Sequence, residues 1–426
     1  MVFMKLIQDF KKRFYFKVAD YFKSLANFAL KRWNPRIIAV TGSAGKTTML
    51  HLLEHEMGKV AHYSHDANSA FGVPFDILGL RGIYGSKLRW IYLLLAAPVR
   101  AVFMRRKEKF YVVEIDGERP HEAESLATWL KPEVTIWTSI GLSHAVKFEK
   151  SVENGDFDTL QDAITSEFAN LPKNTTKLVY IDGASAQMKK ATANISAKVI
   201  SFKKTDMKKY VVYPDSTDFT YGETTFHFNH PEPRDLAYHL LVVEDLMKRL
   251  KLPFNPDFSN LVTPPGRSNF LRGKKGINII DSSYNAHIIS MEATLDMFAR
   301  MHADHKWLVI GDIIDQGSLE ETEHKKLAHL IAEVKPEKVI LVGRRTKSWT
   351  APELKSLGIS ALTTTDPKKA LEYLEKRLTG RETVLFKGSQ YLEWIIENLL
   401  ADPADARLLC RRDKAARKRR KSWGLN

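Results

Sequence analysis

An apolar segment that leads directly into a glycine-rich turn constrains the fold of this chain more than any other feature. Ile37–Thr41 has the composition of a buried strand, and a helical pattern starts at Met49. Between them the chain reads Gly42-Ser43-Ala44-Gly45-Lys46-Thr47-Thr48. Glycines let the backbone wrap with its N–H groups inward, and the N-terminus of the following helix adds a positive dipole. Because Lys46 can reach the β- and γ-phosphates and the Thr47 hydroxyl can bind Mg²⁺, the pattern predicts a nucleoside triphosphate site on a strand–turn–helix unit.

Short apolar segments alternate with helical patterns along most of the remaining chain. A β-rich stretch near 219–228 and a helix from about Asp235 to Leu250 interrupt this alternation. Alternating strands and helices over such a length favour parallel sheets covered by helices. We therefore expect an α/β fold, with a P-loop-type central domain around a mostly parallel sheet and a C-terminal Rossmann-like α/β domain. The predicted strands are Ile37–Thr41, Tyr111–Ile115, Val134–Thr138, Leu178–Ile181, Val199–Phe202, Ile277–Ile280, Trp307–Ile310, Val339–Val342 and Val384–Phe386.

The length of 426 residues suggests two or three domains. Leu252–Pro265 contains four prolines and is expected to be a linker. We predict a basic amphipathic N-terminal helix (1–35), a central ATP-binding domain (36–262), a C-terminal domain (263–400) and a basic tail (401–426).

The net charge of +15 is concentrated at the two ends of the chain. Residues 1–36 carry nine Lys/Arg against two Asp, and residues 401–426 carry nine Lys/Arg against three Asp. The body is therefore near neutral, whereas a nucleic-acid-binding protein more often carries its charge on a folded face. We expect no nucleic acid partner, because the basic tail lacks interleaved aromatic residues before Trp423. Basic ends indicate an anionic surface instead.

Cysteine content and hydropathy indicate the compartment. The one cysteine, Cys410, excludes a disulfide framework and a cysteine-based zinc site, and it fits a reducing compartment. The sequence has neither a run of about eighteen uncharged apolar residues nor a secretory leader, so we expect a cytoplasmic protein without a transmembrane helix.

The first 35 residues carry an apolar stripe with basic residues between its members. A basic, aromatic-rich amphipathic helix is typical of a peripheral membrane helix, but a helix docked on the protein's own core has the same stripe, and both alternatives remain open. Trp90–Val99 is too short to span a bilayer and has basic flanks, which favours a second membrane-touching element over a buried helix. These segments predict peripheral attachment at the inner face of the plasma membrane. The stripe consists of Phe3, Ile7, Phe10, Phe14, Val18, Tyr21, Leu25 and Phe28.

Three further residues have the chemistry of a phosphate-transfer site. Glu114 lies near the end of an apolar strand, where a carboxylate is a natural Mg²⁺ ligand. His144 follows another strand, and Arg267 closes the proline-rich linker, where an arginine can contact phosphate as a second domain closes. A solvated acid, a structural histidine and an exposed linker arginine are the ordinary alternatives.

The segment Thr41–Thr48 resembles the shortened ATP loop of the Mur ligases, and the similarity extends over roughly residues 36–400. Asn68–Pro74 is similar to the family's Asn-rich segment before Gly-Val-Pro, and Glu114 and His144 fall where the family keeps Mg²⁺-binding residues. The remaining motifs are Pro265–Arg267, Asp281–Ala286, Ile310–Gly317 followed by His324, and Phe386–Ser389 followed by Glu393. Within the family, the last three of these motifs point toward addition of D-alanyl-D-alanine to the muramoyl tripeptide.

The resemblance implies an ATP-dependent acid–amino-acid ligase of peptidoglycan synthesis that uses ATP and Mg²⁺. A substrate carboxylate would take the γ-phosphoryl group, and an amine would capture the acyl phosphate. The small-molecule partners would be a cell-wall precursor and an amino acid or dipeptide. The implied catalytic residues are Lys46, His144 and Arg267, and the implied Mg²⁺ ligands are Thr47, Glu114 and His144. The implied ATP contacts are Gly42, Ser43, Ala44, Gly45, Lys46, Thr47, Thr48, Arg267, Asp281 and Asn285, and the candidate substrate contacts are Asn68, Lys387 and Ser389.

Two departures from the family leave other functions open. About forty residues precede the loop, where the family usually has a domain for the substrate's uridine nucleotide, so a lipid-linked acceptor is an alternative. Thr165 stands where many members have a carbamylated lysine that helps to position a second Mg²⁺. Three alternatives stay open: Glu167 or Asp162 takes the place of that lysine, one metal ion is enough, or activity is impaired. The alternatives are a membrane-associated amino-acid ligase, a nucleotide-binding protein without ligase activity, and a nucleic-acid-binding NTPase that uses its basic tail.

Overall fold

A computed structural model describes residues 2–65, 67–81, 87–117, 119–142, 145–284, 286–314, 316–389 and 391–425. Two of the predicted site residues, His144 and Asn285, lie outside these ranges. The chain forms two compact units. Unit 1 comprises residues 1–141, 147–202 and 242–253, and unit 2 comprises residues 142–146, 203–241 and 254–426.

Unit 1 is built on a six-stranded sheet in the order β2-β3-β1-β4-β5-β6, in which every pair is parallel. The central strands are buried except at Arg36, as expected when helices cover both faces of a parallel sheet. Thr41 pairs with both Ile115 and Trp137, so the segments that follow three neighbouring strands meet at one edge. The strands are β1 (Arg36–Thr41), β2 (Ala61–Tyr63), β3 (Phe110–Ile115), β4 (Val134–Trp137), β5 (Leu178–Asp182) and β6 (Lys198–Phe202).

Several helices of unit 1 share one hydrophobic core with the sheet. Phe22, Ala26 and Leu30 of the first helix are buried in this core, so that helix, from Val18 onward, is docked on the protein itself. No helix among the described residues is long and apolar enough to cross a bilayer. The helices are α1 (Val2–Trp33), α2 (Lys46–Met57), α3 (Gly72–Ile77), α4 (Lys87–Phe103), α5 (Glu122–Leu130), α6 (Glu149–Glu153), α7 (Leu160–Lys173) and α8 (Ala186–Thr192); α9 (Leu236–Leu250) contributes to both units.

Unit 2 contains a second six-stranded sheet, in the order β10-β11-β15-β12-β13-β14, and a three-stranded antiparallel sheet, β7-β8-β9. Only the edge strand β10 is antiparallel to its neighbour in the larger sheet. Its strands are β7 (Lys209–Val212), β8 (Thr217–Tyr221), β9 (Thr224–Phe228), β10 (Asn269–Arg272), β11 (Asn278–Ser282), β12 (His305–Gly311), β13 (Lys338–Val342), β14 (Ala361–Thr364) and β15 (Glu382–Lys387). Its helices are α10 (Ile288–Arg300), α11 (Glu320–Val334), α12 (Ala351–Ser356), α13 (Pro367–Arg377), α14 (Leu392–Leu399) and α15 (Lys414–Ser422).

The basic C-terminal segment is folded onto unit 2. Leu425 is buried in the core beside the larger sheet, and Arg412 and Arg420 both donate to Glu397 of α14. These contacts fix a segment whose charge alone would favour a solvated tail. The two mostly parallel sheets with covering helices confirm the α/β fold class predicted from the alternating pattern.

Candidate active site

The glycine-rich loop after β1 fits closely against the segment that follows β4. Gly42 has φ +133°, and a Cβ at this position would collide with the Thr138 side chain and lie 2.8 Å from the backbone nitrogen of Ser139. Only glycine accepts this backbone conformation without strain, and only glycine leaves space for the neighbouring segment.

Hydrogen bonds from the same segment fix the loop. The Thr138 hydroxyl donates to the carbonyl oxygen of Ala44 at 2.6 Å, and the backbone N–H of Ala44 donates to the Ser139 hydroxyl at 2.8 Å. The Ser43 hydroxyl donates to the carbonyl oxygen of Gly141 at 2.9 Å. Because these bonds are already made, the loop is preorganised before any phosphate arrives.

The N-terminus of α2 is available to an anion. Gly45 caps this helix in the left-handed region, no side chain caps the helix, and its first turn contains no acidic residue. The first backbone N–H groups of a helix lack partners within the helix and carry part of its positive dipole. This helix start therefore has the properties of a phosphate site.

Lys46, at the start of α2, is held between two oxygens. Its ammonium group donates to the carbonyl oxygen of Gly42 at 2.6 Å and pairs with Asp116 Oδ1 at 2.7 Å. The other oxygen of Asp116 accepts a hydrogen bond from the Asn68 side chain at 2.8 Å. Asp116 thus joins the phosphate loop to the Asn68 segment.

Thr47 and Glu114 supply oxygen ligands of the kind that Mg²⁺ prefers. The Thr47 hydroxyl donates to Glu114 Oε2 at 3.0 Å, and the backbone N–H of Glu114 donates to the Ser64 hydroxyl at 2.8 Å. A hydroxyl and a carboxylate beside a phosphate loop fit Mg²⁺, which usually takes one or two protein oxygens together with phosphate oxygens. The two residues expected from the sequence to bind Mg²⁺ are thus in contact, and their role as metal ligands stays a proposal.

Glu167 caps a helix in this unit. Its two carboxylate oxygens accept the backbone N–H groups of Ala123 at 2.7 Å and His121 at 2.9 Å, at the start of α5, and burial raises the pKa of its carboxyl. The neighbouring Glu122 in turn accepts the backbone N–H of Ala70 at 2.9 Å. Glu167 therefore supports the Asn68 segment through α5, while Asp162 lies in the exposed first turn of α7.

Unit 2 gathers a second group of predicted site residues on the adjacent strands β11 and β15. Asp281 is fully buried, and burial raises the pKa of its carboxyl to about 6. Its Oδ1 accepts the backbone N–H of Ser283, while its Oδ2 is buried without a partner in the described part of the chain. Burial and the nearby charge of Arg267 lower the pKa of the Lys387 ammonium to about 7.

Arg267 lies against the same strands. Its guanidinium is 5.2 Å from the centre of the Tyr284 ring, and its Nε is buried without a partner among the described residues. Unsatisfied buried polar groups are costly and are common at ligand sites. Asp281 Oδ2 and Arg267 Nε are thus two buried polar atoms for which a ligand would provide partners.

Ser389 and His324 are fixed within unit 2 by backbone contacts. The backbone N–H of Ser389 donates to the carbonyl oxygen of Asp312 at 3.1 Å. His324 is buried; its Nδ1 lies 2.7 Å from the carbonyl oxygen of Glu320, and its Nε2 accepts the backbone N–H of Ile313. These two contacts fit a neutral ring, in agreement with the burial that lowers its pKa.

Two family models match this chain and together cover most of it. The model described as "Mur ligase middle domain" matches residues 40–242, and the model described as "Mur ligase, glutamate ligase domain" matches residues 266–390. The chain belongs to the Mur ligase family. It is therefore an ATP-dependent ligase that forms C–N bonds, which confirms the enzyme class expected from the sequence.

Curated relatives and solved structures agree with this assignment. A UDP-N-acetylmuramoyl-tripeptide–D-alanyl-D-alanine ligase of Bacillus subtilis is 24% identical over 401 residues, which cover 89% of this chain and 79% of the relative. The structure of MurF from Thermotoga maritima in complex with ADP has a TM-score of 0.70 at 20% identity, covering 94% of this chain and 84% of that chain. MurF from Acinetobacter baumannii has a TM-score of 0.69 at 18% identity, covering 90% and 81%.

The Mur ligase residues predicted from the sequence fall into two groups. In unit 1, the group at the carboxyl edge of the sheet comprises Lys46, Thr47, Glu114 and Asn68. In unit 2, the group comprises Arg267 before β10, Asp281 on β11, Lys387 on β15 and Ser389 after β15. Sequence reasoning did not identify two further sets of residues that organise unit 1. They are Asp116, and the pair Thr138 and Ser139.

Proposed function

We propose that this Mur ligase joins a carboxylate of a peptidoglycan precursor to an amine, with D-alanyl-D-alanine as the favoured amine. The names of the curated relatives and the motifs of unit 2 support this choice of amine. The observation that carries the proposal is the arrangement of Lys46, Thr47 and Glu114 around a loop that is already fixed.

The loop residues would bind and orient the triphosphate of ATP. The N–H groups at the start of α2 would hold its β- and γ-phosphate oxygens, and Lys46 would exchange Asp116 for phosphate and neutralise charge on the transferred group. A carboxylate oxygen of the acceptor would attack the γ-phosphorus, and the bond to the ADP oxygen would break. Thr47 and Glu114 are the described residues that would hold Mg²⁺, which would withdraw charge from the phosphate oxygens.

The second half of the reaction forms the amide. The amine nitrogen would attack the carbonyl carbon of the acyl phosphate and lose a proton, and inorganic phosphate would leave. Arg267 is proposed to stabilise phosphate charge, and Asp281 is proposed to accept a ribose hydroxyl, as the resemblance implies. Lys387 and Ser389 are proposed substrate contacts. His144 and Asn285 stay proposals that rest on the resemblance alone.

The acceptor and the location of the enzyme are finer proposals. We propose action at the inner face of the plasma membrane, where a soluble precursor and a lipid-linked precursor are both accessible.

The decisive experiment incubates the full chain with ATP, Mg²⁺ and D-alanyl-D-alanine, together with soluble or lipid-linked muramoyl tripeptide, and analyses the products by mass spectrometry. A product heavier by one dipeptide residue, formed with stoichiometric ADP and phosphate, supports the proposal. Lys46→Ala should abolish it, whereas Lys59→Ala, an exposed lysine just after α2, should not. ADP release without any amide product from either acceptor would contradict the proposed substrates.

A further inference from the structure

From Val18 onward, the structure docks α1 on the core of unit 1, but it leaves part of the surface of α1 and α4 exposed. Of the predicted stripe from Val18 onward, Val18 and Leu25 pack partly buried against the core of unit 1, whereas Tyr21 and Phe28 are exposed. The fully buried side of α1 is a neighbouring one that carries Phe22, Ala26 and Leu30. The helix that packs against it, α4, buries only a narrow strip of small and medium side chains. That strip consists of Leu93, Ala97 and Ala101, which recur every four residues.

The opposite side of α4 is a continuous exposed apolar surface. Leu95 is 71% exposed and Phe103 is 74% exposed, and the other members of the surface are at least 40% exposed. Nine of the nineteen large apolar side chains that are exposed in the described part of the chain lie on α1 and α4. Such a concentration marks an interaction surface rather than ordinary exposed residues. We call this set the α1/α4 face; it consists of Tyr21, Phe28, Ile91, Tyr92, Leu94, Leu95, Val99, Val102 and Phe103.

Hydrogen bonds from side chains of α1 to backbone oxygens at and just after α4 hold the two helices side by side. Pro98 lacks an N–H, so the carbonyl oxygen of Leu94 loses its helical donor, and the Tyr21 hydroxyl replaces it at 3.2 Å. At the other end, the Arg32 guanidinium donates to the carbonyl oxygens of Val102 at 2.8 Å and Met104 at 2.6 Å. These bonds occupy backbone oxygens that would otherwise lack donors, and they keep the apolar side chains facing away from the core.

The charges around this face identify its occupant. From Arg81 to Lys107 the sequence contains seven Lys/Arg and no Asp or Glu. Arg100, Arg105 and Lys107 are exposed near the C-terminal end of α4, and Lys31 is exposed on α1. A second copy of the chain would bring the same basic rim against itself, whereas the headgroups of anionic lipids are complementary to it.

We propose that the α1/α4 face docks flat on the surface of an anionic phospholipid bilayer. A 17-residue helix with an exposed tyrosine, Tyr92, and a basic rim matches an interfacial helix, whose apolar side enters the boundary between headgroups and acyl chains. The inference gives a specific surface to the membrane location proposed above and does not depend on which acceptor the enzyme uses. It would place unit 1 beside any acceptor carried on a lipid.

The test is flotation of the full chain with vesicles of phosphatidylcholine, with and without phosphatidylglycerol. We expect binding that requires phosphatidylglycerol and weakens with added salt. The double variant Leu95→Gln/Phe103→Gln should lower the partition coefficient at least about tenfold. The matched control Val262→Gln/Leu357→Gln, which changes two exposed apolar residues in unit 2, should bind like the wild type.

A second pair of variants tests the basic rim. Arg100→Gln/Arg105→Gln should lower binding to the anionic vesicles by about fivefold for each charge removed. Deletion of α1 is unsuitable, because it would expose the core that Phe22 and Leu30 fill. Circular dichroism and ATP binding without vesicles verify that each variant is folded, and unchanged ligase turnover without vesicles separates this proposal from the proposed reaction.

Two outcomes would overturn the inference. The first is a wild-type chain that stays at the bottom of the gradient with anionic vesicles, or a Leu95→Gln/Phe103→Gln variant that floats as well as the wild type. The second is self-association of the wild type in sedimentation velocity that this variant abolishes, without any vesicle binding. That result would assign the face to a second copy of the chain.

Discussion

Lys46 Nζ lies 2.7 Å from Asp116 Oδ1, so the lysine of the phosphate loop is paired with a carboxylate that follows the neighbouring strand β3. Both side chains are largely buried, at 11% and 13% exposure, which makes the pair stronger than a surface ion pair. The same carboxylate holds Asn68. Asp116 therefore competes with phosphate for Lys46 while it aligns the Asn68 segment.

The Lys46–Asp116 pair leads to a prediction of opposite effects on binding and turnover. Asp116→Asn removes the competing charge, so the ATP dissociation constant without acceptor should fall by up to about tenfold. The turnover number should fall by at least about tenfold, because Lys46 and Asn68 lose their common support. Isothermal titration and steady-state kinetics measure the two quantities. Asp182→Asn, at the end of β5, is the matched control. If Asp116→Asn binds ATP more weakly than the wild type, Asp116 does not compete with phosphate for Lys46.

The packing around Gly42 predicts that a single methyl group there is destructive. Gly42→Ala places a Cβ against Thr138 and Ser139, so ATP binding should weaken at least about a hundredfold. Gly155→Ala is the matched control, because Gly155 also has a positive φ, +79°, but no atom lies within 4 Å of the added Cβ. Gly155→Ala should cost about 1 kcal/mol of unfolding free energy and leave ATP binding unchanged. Equal ATP affinity in both variants would show that the loop does not need this close fit.

Much of the fold and part of the site follow from local sequence. The alternating pattern identified β1, β3, β4 and the main strands of unit 2, because buried parallel strands are continuous apolar runs. It missed β2, which has three residues, and the edge strands β10 and β14, which are partly exposed and depend on pairing. The pattern could not decide how α1 packs, since an interfacial helix and a docked helix have the same stripe.

The missed site residues have a similar physical explanation. Asp116 lies two positions after Glu114, so both side chains leave the strand on the same side, and this alternation is the signal that could have found it. Thr138 and Ser139 act mainly through backbone atoms of the loop, and no spacing in the sequence shows such contacts. The family motifs identify the residues of the proposed chemistry, whereas the residues that hold them in place are visible only once the fold is known.

The buried Lys387 predicts a specific dependence of stability on pH. Burial lowers the pKa of its ammonium from 10.5 to about 7, so between these values the unfolded chain holds a proton that the folded chain lacks. The unfolding free energy should therefore rise with pH across this window. Relative to Lys387→Met, the wild type should gain up to about 3 kcal/mol between pH 7 and about 9. Urea unfolding without nucleotide measures this difference in unfolding free energy, and Lys338→Met, at an exposed lysine, is the control. A difference between the wild type and Lys387→Met that does not change with pH would contradict the prediction.

Arg411, in the C-terminal segment, holds the loop that follows β11. Its guanidinium donates to the carbonyl oxygens of Ser283 at 3.0 Å and Tyr284 at 2.8 Å, and it lies 3.3 Å from the buried Glu393 carboxylate. This loop follows Asp281, the proposed ribose contact. The C-terminal segment therefore positions a proposed part of the nucleotide site, although it lies beyond residues 266–390, which the C-terminal family model matches.

Arg411→Ala should raise the KM for ATP several-fold and leave the turnover number at saturating ATP within about twofold, since the loop is displaced but no reacting group is removed. The matched control is Arg412→Ala in the same segment, where the guanidinium binds Glu397 instead of the loop. Both variants should lose about 1–3 kcal/mol of unfolding free energy, because Arg411→Ala removes the ion pair with the buried Glu393 and Arg412→Ala removes one of the two arginines that pair with Glu397. Only Arg411→Ala should change the KM, and Arg411→Lys should restore part of it by reaching one of the two carbonyl oxygens. Equal KM values for the two alanine variants would show that the C-terminal segment stabilises unit 2 without positioning the loop.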